Sequence, residues 1–196
     1  RESTEQDNIP TREARANTTA RLTGTVIHMI YDALSQHPLP TAVAEYVQAQ
    51  APRWKLLLQH HGVGIDSLAT ALNRVERAVY NTLNSPVGRW VLEQHEQATS
   101  EAGYVSARGK AFALQVVDRS FMADGRRWII DYKTSEPAAG ECTESFKTGL
   151  IDEYREQLER YRDLFGDAPT PVKMALYCPF LPNDEQLIEV SINSMQ

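Results

Sequence analysis

The residues most able to do chemistry sit in the short segment Trp128-Ile129-Ile130-Asp131-Tyr132-Lys133. Its composition reads as a strand, in which successive side chains alternate between faces. Trp128, Ile130 and Tyr132 then face one way, and Ile129, Asp131 and Lys133 the other. The carboxylate and the ammonium stand side by side, roughly 6–7 Å apart at their Cα atoms. Such a pair is common on an exposed sheet face. This strand is otherwise apolar, which makes its charges more informative.

Asp118 closes the apolar run Phe112, Leu114, Val116, where a core residue is expected. Ala123-Asp124-Gly125 supplies a turn, so the two strands form a hairpin that brings Asp118 near Asp131. Two carboxylates on paired strands repel unless a cation lies between them. Equally, Asp118 can form a structural ion pair with Arg119 or Lys133, and spacing alone does not separate the two readings.

His28 lies in the run Val26, Ile27, Ile30, Tyr31, Leu34, which has helical spacing. On a wheel it points nearly opposite the Val26–Ile30–Leu34 face, toward solvent or toward a cleft. Gln157 and Tyr161, four apart, share one helix face. Tyr161 as core with Gln157 at its edge accounts for that pair equally well.

The elements that must position these groups follow from punctuation and period. Residues 1–20 are polar and are expected to form a flexible or partly ordered lead-in, and 21–196 one domain. Helices are expected from Gly24 to before His37-Pro38 and near 41–50, 54–61, 66–83 and 86–95, making 24–98 a mostly helical lobe. From Glu101 the pattern changes to strands at 103–108 and 111–122, with a return strand to Lys133. A helix over about 147–165, ended by Gly166 and Pro169, and strands at 172–178 and 186–192 complete a sheet-containing part over 101–196. The class is α/β or α+β.

At 196 residues, 42% hydrophobic and 23% charged, the chain has the composition of a globular domain. No apolar run reaches membrane-spanning length and no secretory signal is present, so a cytoplasmic location is expected. Two cysteines, Cys142 and Cys178, suit a reducing compartment and cannot build a four-cysteine metal site. The first residue is Arg, which reads as a piece of a longer parent. A net charge of −6 speaks against an autonomous nucleic-acid binder, though a parent can supply a basic track.

Taken together, Gly24-Thr25-Val26-Ile27-His28, Glu101, Val117-Asp118-Arg119, Ile130-Asp131-Tyr132-Lys133-Thr134 and Gln157-Leu158-Glu159-Arg160-Tyr161 resemble the nuclease domain of the RecB/AddA type, within the PD-(D/E)XK superfamily. The segments occur in that family's order and span most of the chain, from about Gly24 to Cys178. The sequence departs from the family where Leu114-Gln115-Val116 replaces a glycine-containing stretch, and it lacks the four-cysteine cluster of some relatives and any G-x-x-x-x-G-K-[ST] loop.

The resemblance implies a restriction-endonuclease-like core, a mixed central sheet flanked by helices with an N-terminal helical lobe. It implies Mg²⁺ or Mn²⁺ held by His28, Asp118, Asp131 and the backbone carbonyl of Tyr132, with Asp118, Asp131 and Lys133 catalytic. Lys133 would orient water or stabilise developing charge. Glu101 would assist from outside the ligand set, and Gln157 with Tyr161 would position the DNA strand or the lysine. The implied partners are single-stranded or unwound DNA, a UvrD/Rep-like helicase domain of the same parent chain, and a second subunit. The implied activity is an exonuclease acting on DNA ends or single strands in recombination and repair. Three rivals remain: a nuclease fold without catalysis that binds DNA or a partner, a free-standing restriction-type endonuclease, and a plain ion-pair network on a generic α/β domain.

Overall fold

A computed structural model describes residues 12–108, 111–165 and 170–191. Four helices come first: α1 (Arg12–Ser35), α2 (Val43–His60), α3 (Ile65–Asn84) and α4 (Pro86–Leu92). Three strands follow, β1 (Glu96–Arg108), β2 (Ala111–Ala123) and β3 (Arg126–Tyr132). Helix α5 (Thr143–Phe165) then leads to β4 (Val172–Tyr177) and β5 (Leu187–Val190). The five strands form one sheet in sequence order, β1-β2-β3-β4-β5. All neighbours are antiparallel except β3 and β4, which run parallel and are joined through α5. The chain is thus a mixed α/β domain whose sheet is flanked by helices.

Helices α3 and α4 form for local reasons, while α2 runs against its local signal. In α3 the buried positions Leu68, Ala71, Val75, Ala78, Val79, Thr82 and Leu83 recur at three- and four-residue spacing, the stripe of an amphipathic helix. Ser85 caps α4 by accepting from the Gly88 amide, and Pro86 occupies the first turn, where its missing N–H costs nothing. In α2, Pro52 reads as a break between two helices, yet a single helix runs through it. An interior proline costs roughly 3 kcal/mol. Burial of Val43, Trp54 and Leu58 along the same helix offsets that, at about 1.5–3 kcal/mol for each fully buried large apolar side chain.

Other boundaries also move. Helix α1 begins at Arg12, so residues 12–20 of the expected lead-in are helical, while residues 1–11 lie outside the described residues. Strand β1 starts at Glu96, with a register shift between Glu96 and Thr99, rather than near 103. Helix α5 starts four residues early, and its expected stop at Gly166 and Pro169 lies outside the described residues, as does Ile192 of the last strand. Among the described residues no helix is long and apolar enough to cross a membrane. Cys142 is exposed, Cys178 is buried, and both are free thiols.

The sheet separates two cores. Trp128, Ile130 and Tyr132 of β3 join Val26, Ile27, Tyr31 and the inner faces of α2–α4. Ile129, on the opposite face, packs with Phe146, Leu150, Leu158 and Tyr161 of α5. The alternation read from the sequence of β3 therefore holds, and it assigns Asp131 and Lys133 to the α5 side.

The hairpin turn is a tight one. Asp124 and Gly125 both take positive φ, +51° and +67°, between the closing pair Ala123 and Arg126. That is the two-residue turn Asp-Gly favours. From there β2 and β3 stay paired only as far as Arg119 and Ile130, while β2 remains paired to β1 down to Ala111 and Arg108. The two inner strands part at Asp118.

Arg119 anchors this parting to the helical lobe. It is among the largest fully buried side chains. Its guanidinium donates to the carbonyls of Val91 (3.3 Å) and Glu93 (2.7 Å) at the end of α4, and to Ser100 Oγ (2.9 Å). These are carbonyls that a helix leaves without an internal partner. Arg119→Met should cost on the order of 3 kcal/mol in urea unfolding, because Met cannot reach them. A loss under about 0.5 kcal/mol, the scale of an ordinary surface substitution, would show that Arg119 is not the anchor.

Candidate active site at the parted hairpin

Where β2 leaves β3, the backbone amide of Tyr132 has no strand partner on the β2 side. Asp118 Oδ2 takes its hydrogen bond at 2.7 Å. The other oxygen, Oδ1, lies 3.4 Å from Nδ1 of His28 on α1. The His28 ring meets the Tyr132 ring edge-on, centroids 5.4 Å apart. The histidine on the far side of the α1 wheel thus overlooks the end of the hairpin. Neither ion pair anticipated for Asp118 forms: Arg119 turns to α4, and Lys133 pairs with Asp131.

Asp131 is 3% exposed, on the α5 side of β3. Its Oδ1 accepts from Gln157 Nε2 at 2.9 Å and lies 3.4 Å from the Tyr161 hydroxyl. Its Oδ2 pairs with the Lys133 ammonium, 2.6 Å away. Lys133 Nζ also sits 3.3 Å from the centroid of the Tyr154 ring, a cation–π contact. Gln157 donates to Tyr161 (2.6 Å), whose hydroxyl in turn donates to the Val116 carbonyl of β2 (2.6 Å). The i, i+4 pair on α5 therefore does two things: it holds Asp131 and it occupies a carbonyl of the departing strand. Tyr161 is core and Gln157 its edge neighbour, and both also touch the acid.

Electrostatics follow from this packing. Burial first, and then the charge of Asp118, push the Asp131 carboxyl up to about 6, against the pull of Lys133 and His28. Burial alone would lower the His28 imidazole. Its contact with Asp118, and the charges of Asp118 and Asp131, carry it above its ordinary value instead. Burial and then Asp131 raise the Tyr161 hydroxyl, which stays a proton donor. Burial, followed by a bond to Glu153, lifts Tyr154 to about 12.

His28 and Asp118 thus form one contacting pair and Asp131, Lys133, Gln157 and Tyr161 a second contacting group, and the charges of the first act on Asp131 across the parted seam. Tyr132 enters through its amide and its buried ring. Glu101 does not join them. It is exposed on β1, between the pairs Ser100–Arg119 and Ala102–Val117, and takes φ +47°. A non-glycine residue there is strained, and the regular alternation of β2 fails at the same level. Phe121 faces the helical core, whereas Val117, of the same parity, lies in the α5 core. Glu101 stands at the level where that alternation changes.

The sequence reading missed Tyr154 and Arg74, and it offered Arg119 as a partner for Asp118 where the structure gives it the end of α4. Arg74 of α3 holds the segment after Lys133, donating to the Thr134 carbonyl and, at 2.6 Å, to Glu136. Only Arg119 carried a local signal, as a charge on an apolar strand.

The donors suit a hard divalent cation in kind, carboxylates with one imidazole, and the buried Asp131 Oδ2 has the Lys133 ammonium as its partner. As the side chains stand, no three His, Cys, Asp or Glu among the described residues form a closed cation cluster. Compared with known proteins, the chain matches no protein-family model and no curated protein sequence.

The raised Asp131 value has a measurable consequence. A folded-state value above the ordinary carboxyl means that the folded chain binds this proton more tightly. That stabilisation is complete below about pH 4 and is lost as pH rises through about 6. Asp131→Asn stays neutral throughout. In EDTA it should gain on the parent by roughly 3 kcal/mol between about pH 4 and pH 7.5. Urea unfolding of both proteins at the two pH values measures it; an unchanged difference, or one of opposite sign, contradicts this account.

Proposed function

We propose that this chain is a divalent-cation-dependent deoxyribonuclease with a PD-(D/E)XK-type core of the RecB/AddA kind. The observation that supports it best is the parted hairpin itself. An acid of β2 paired with an imidazole from α1 lies close enough to the buried acid of β3 for their charges to act on it, with an amine two residues beyond that acid. Two nearby carboxylates that raise the proton affinity of one of them form a site whose cost a cation would relieve.

In this reading Asp118, Asp131 and His28 hold the cation, with the Tyr132 carbonyl as the further oxygen the resemblance implies. When bound, a divalent ion lowers the pKa of a coordinated water and offsets charge on the scissile phosphate. Lys133, braced by Asp131 and Tyr154, orients the water or faces the charge that builds on the phosphate oxygens. Gln157 and Tyr161 fix the Asp131 carboxylate and through it the lysine. Hydrolysis forms one P–O bond to water and breaks one P–O ester bond, and the leaving oxygen ends protonated. Strand ends or single strands are the proposed substrate, and a helicase region of a longer parent is the proposed source of unwound DNA.

A second reading draws on the pairing already present. Asp131 with Lys133, and Asp118 with His28, make a self-contained network that would suit a nuclease-like fold used only for binding. Mn²⁺ titration separates the two, since a satisfied ion network should not take up the ion.

Asp131→Asn and Lys133→Met should each lower cleavage of single-stranded DNA in Mn²⁺ by roughly 10²–10³-fold, with the fold retained by circular dichroism. Linear and circular strands, with Mn²⁺, Mg²⁺ or EDTA, form the assay. Full cation-dependent cutting by either purified variant rules out the assigned roles.

A further inference from the structure

Beside the site lies a cleft of about 420 Å³, running outward from His28 and Lys133 along α1. Its lining has a charge character opposite to that of the chain. The protein carries 26 Asp and Glu against 20 Lys and Arg, yet none of the residues lining this cleft is acidic, while Arg21, Arg74 and Lys133 are cationic. Thr134 and Ser135 add hydroxyls.

Geometry makes the cleft a continuation of the site. His28, Thr25, Gly24 and Arg21 lie on one face of α1, so Arg21 stands two helical turns from His28, roughly 10 Å along the axis. Between them α1 comes close to the segment after Lys133: a Cβ on Gly24 would meet Thr134 Oγ1 at 2.9 Å. Glycine there lets the helix form the wall of the cleft without filling it.

The three cations are not equivalent. Lys133 is committed to Asp131. Arg74 binds Glu136, which Arg77 also contacts at 3.3 Å, so two guanidiniums share one carboxylate. Arg21 is exposed and has no carboxylate partner among the described residues. The outer cleft thus keeps a net positive charge, with one guanidinium free to receive an anion.

We propose that this cleft is a subsite for a backbone phosphate next to the scissile one, that Arg21 is its contact residue, and that it admits a single DNA strand rather than a duplex. The proposal rests on the nuclease reading for the identity of the polyanion. A cleft of this volume is of the size that takes one small-ligand unit. A duplex, whose major groove alone is about 12 Å wide, is too bulky to be enclosed by a cleft of that volume. A strand lying along α1 brings one phosphate to Lys133 and the next toward Arg21, and such contacts set register without reading bases.

The test uses the full chain and separates binding from cutting. Fluorescence anisotropy in EDTA follows a labelled oligothymidylate and a blunt duplex over a salt series, and cleavage in Mn²⁺ is assayed in parallel. Arg21→Gln should weaken strand binding roughly three- to fivefold, the size of one exposed ion contact, and reduce the salt slope by about 0.7. Arg21→Lys should restore most of the affinity. Arg53→Gln, which removes an equal charge from α2 away from the cleft, should leave the slope unchanged. In cleavage, the loss in Arg21→Gln should fall on KM rather than kcat.

Strand binding that depends on Arg21 but is accompanied by no cleavage supports the subsite and overturns the nuclease reading. Cleavage with Arg21→Gln and Arg53→Gln behaving alike supports the nuclease reading and overturns the subsite. Duplex binding as tight as strand binding overturns the single-strand assignment.

Discussion

A backbone amide without a ladder partner sets the terms for the rest of this molecule. Antiparallel strands exchange main-chain hydrogen bonds until one of them turns away, and the first amide beyond that point must be satisfied by something else. Here the amide belongs to Tyr132 and the substitute acceptor is the carboxylate of Asp118. An acid is thereby held at the seam between two strands, where its second oxygen faces a histidine from another layer. Had β2 and β3 stayed paired for two more residues, backbone would fill the seam and Asp118 would have no such duty.

Keeping the seam open requires support on both sides. On the helical side, Arg119 ties β2 to the end of α4, and its buried guanidinium is satisfied by carbonyls that the helix cannot pair itself. On the other, Tyr161 of α5 donates to the Val116 carbonyl, just past the point of separation. The strained backbone at Glu101 of β1 lies at the level where the side-chain alternation of β2 changes. Contacts from α4 and α5 thus stabilise a local departure from regular sheet geometry.

The second consequence is a buried acid with incomplete compensation. Asp131 has an amide donor, a tyrosine and an ammonium around it, and still holds its proton more tightly than an ordinary carboxyl, because burial and Asp118 outweigh Lys133 and His28. The neighbouring cleft has the opposite character, cationic and without acids. An acidic seam therefore lies beside a basic groove in a chain whose net charge is −6.

Local pattern alone determined a good part of this arrangement. The two-residue period of β3 assigns Asp131 and Lys133 to one face, Asp124-Gly125 closes the hairpin, and four-residue spacing aligns Gln157 with Tyr161. Each depends only on residues close in sequence, so the backbone period is enough to decide it. Tertiary structure decided the remainder: where β2 stops pairing, which partner Asp118 takes, that Glu101 stays outside, and that Arg119 serves the fold. It also carried α2 straight through Pro52. Those outcomes turn on which element lies across the sheet and how far a ladder runs, and contacts between residues tens of positions apart settle them. No local period records such distances, because packing energy summed over whole elements overrides the preference of any single residue.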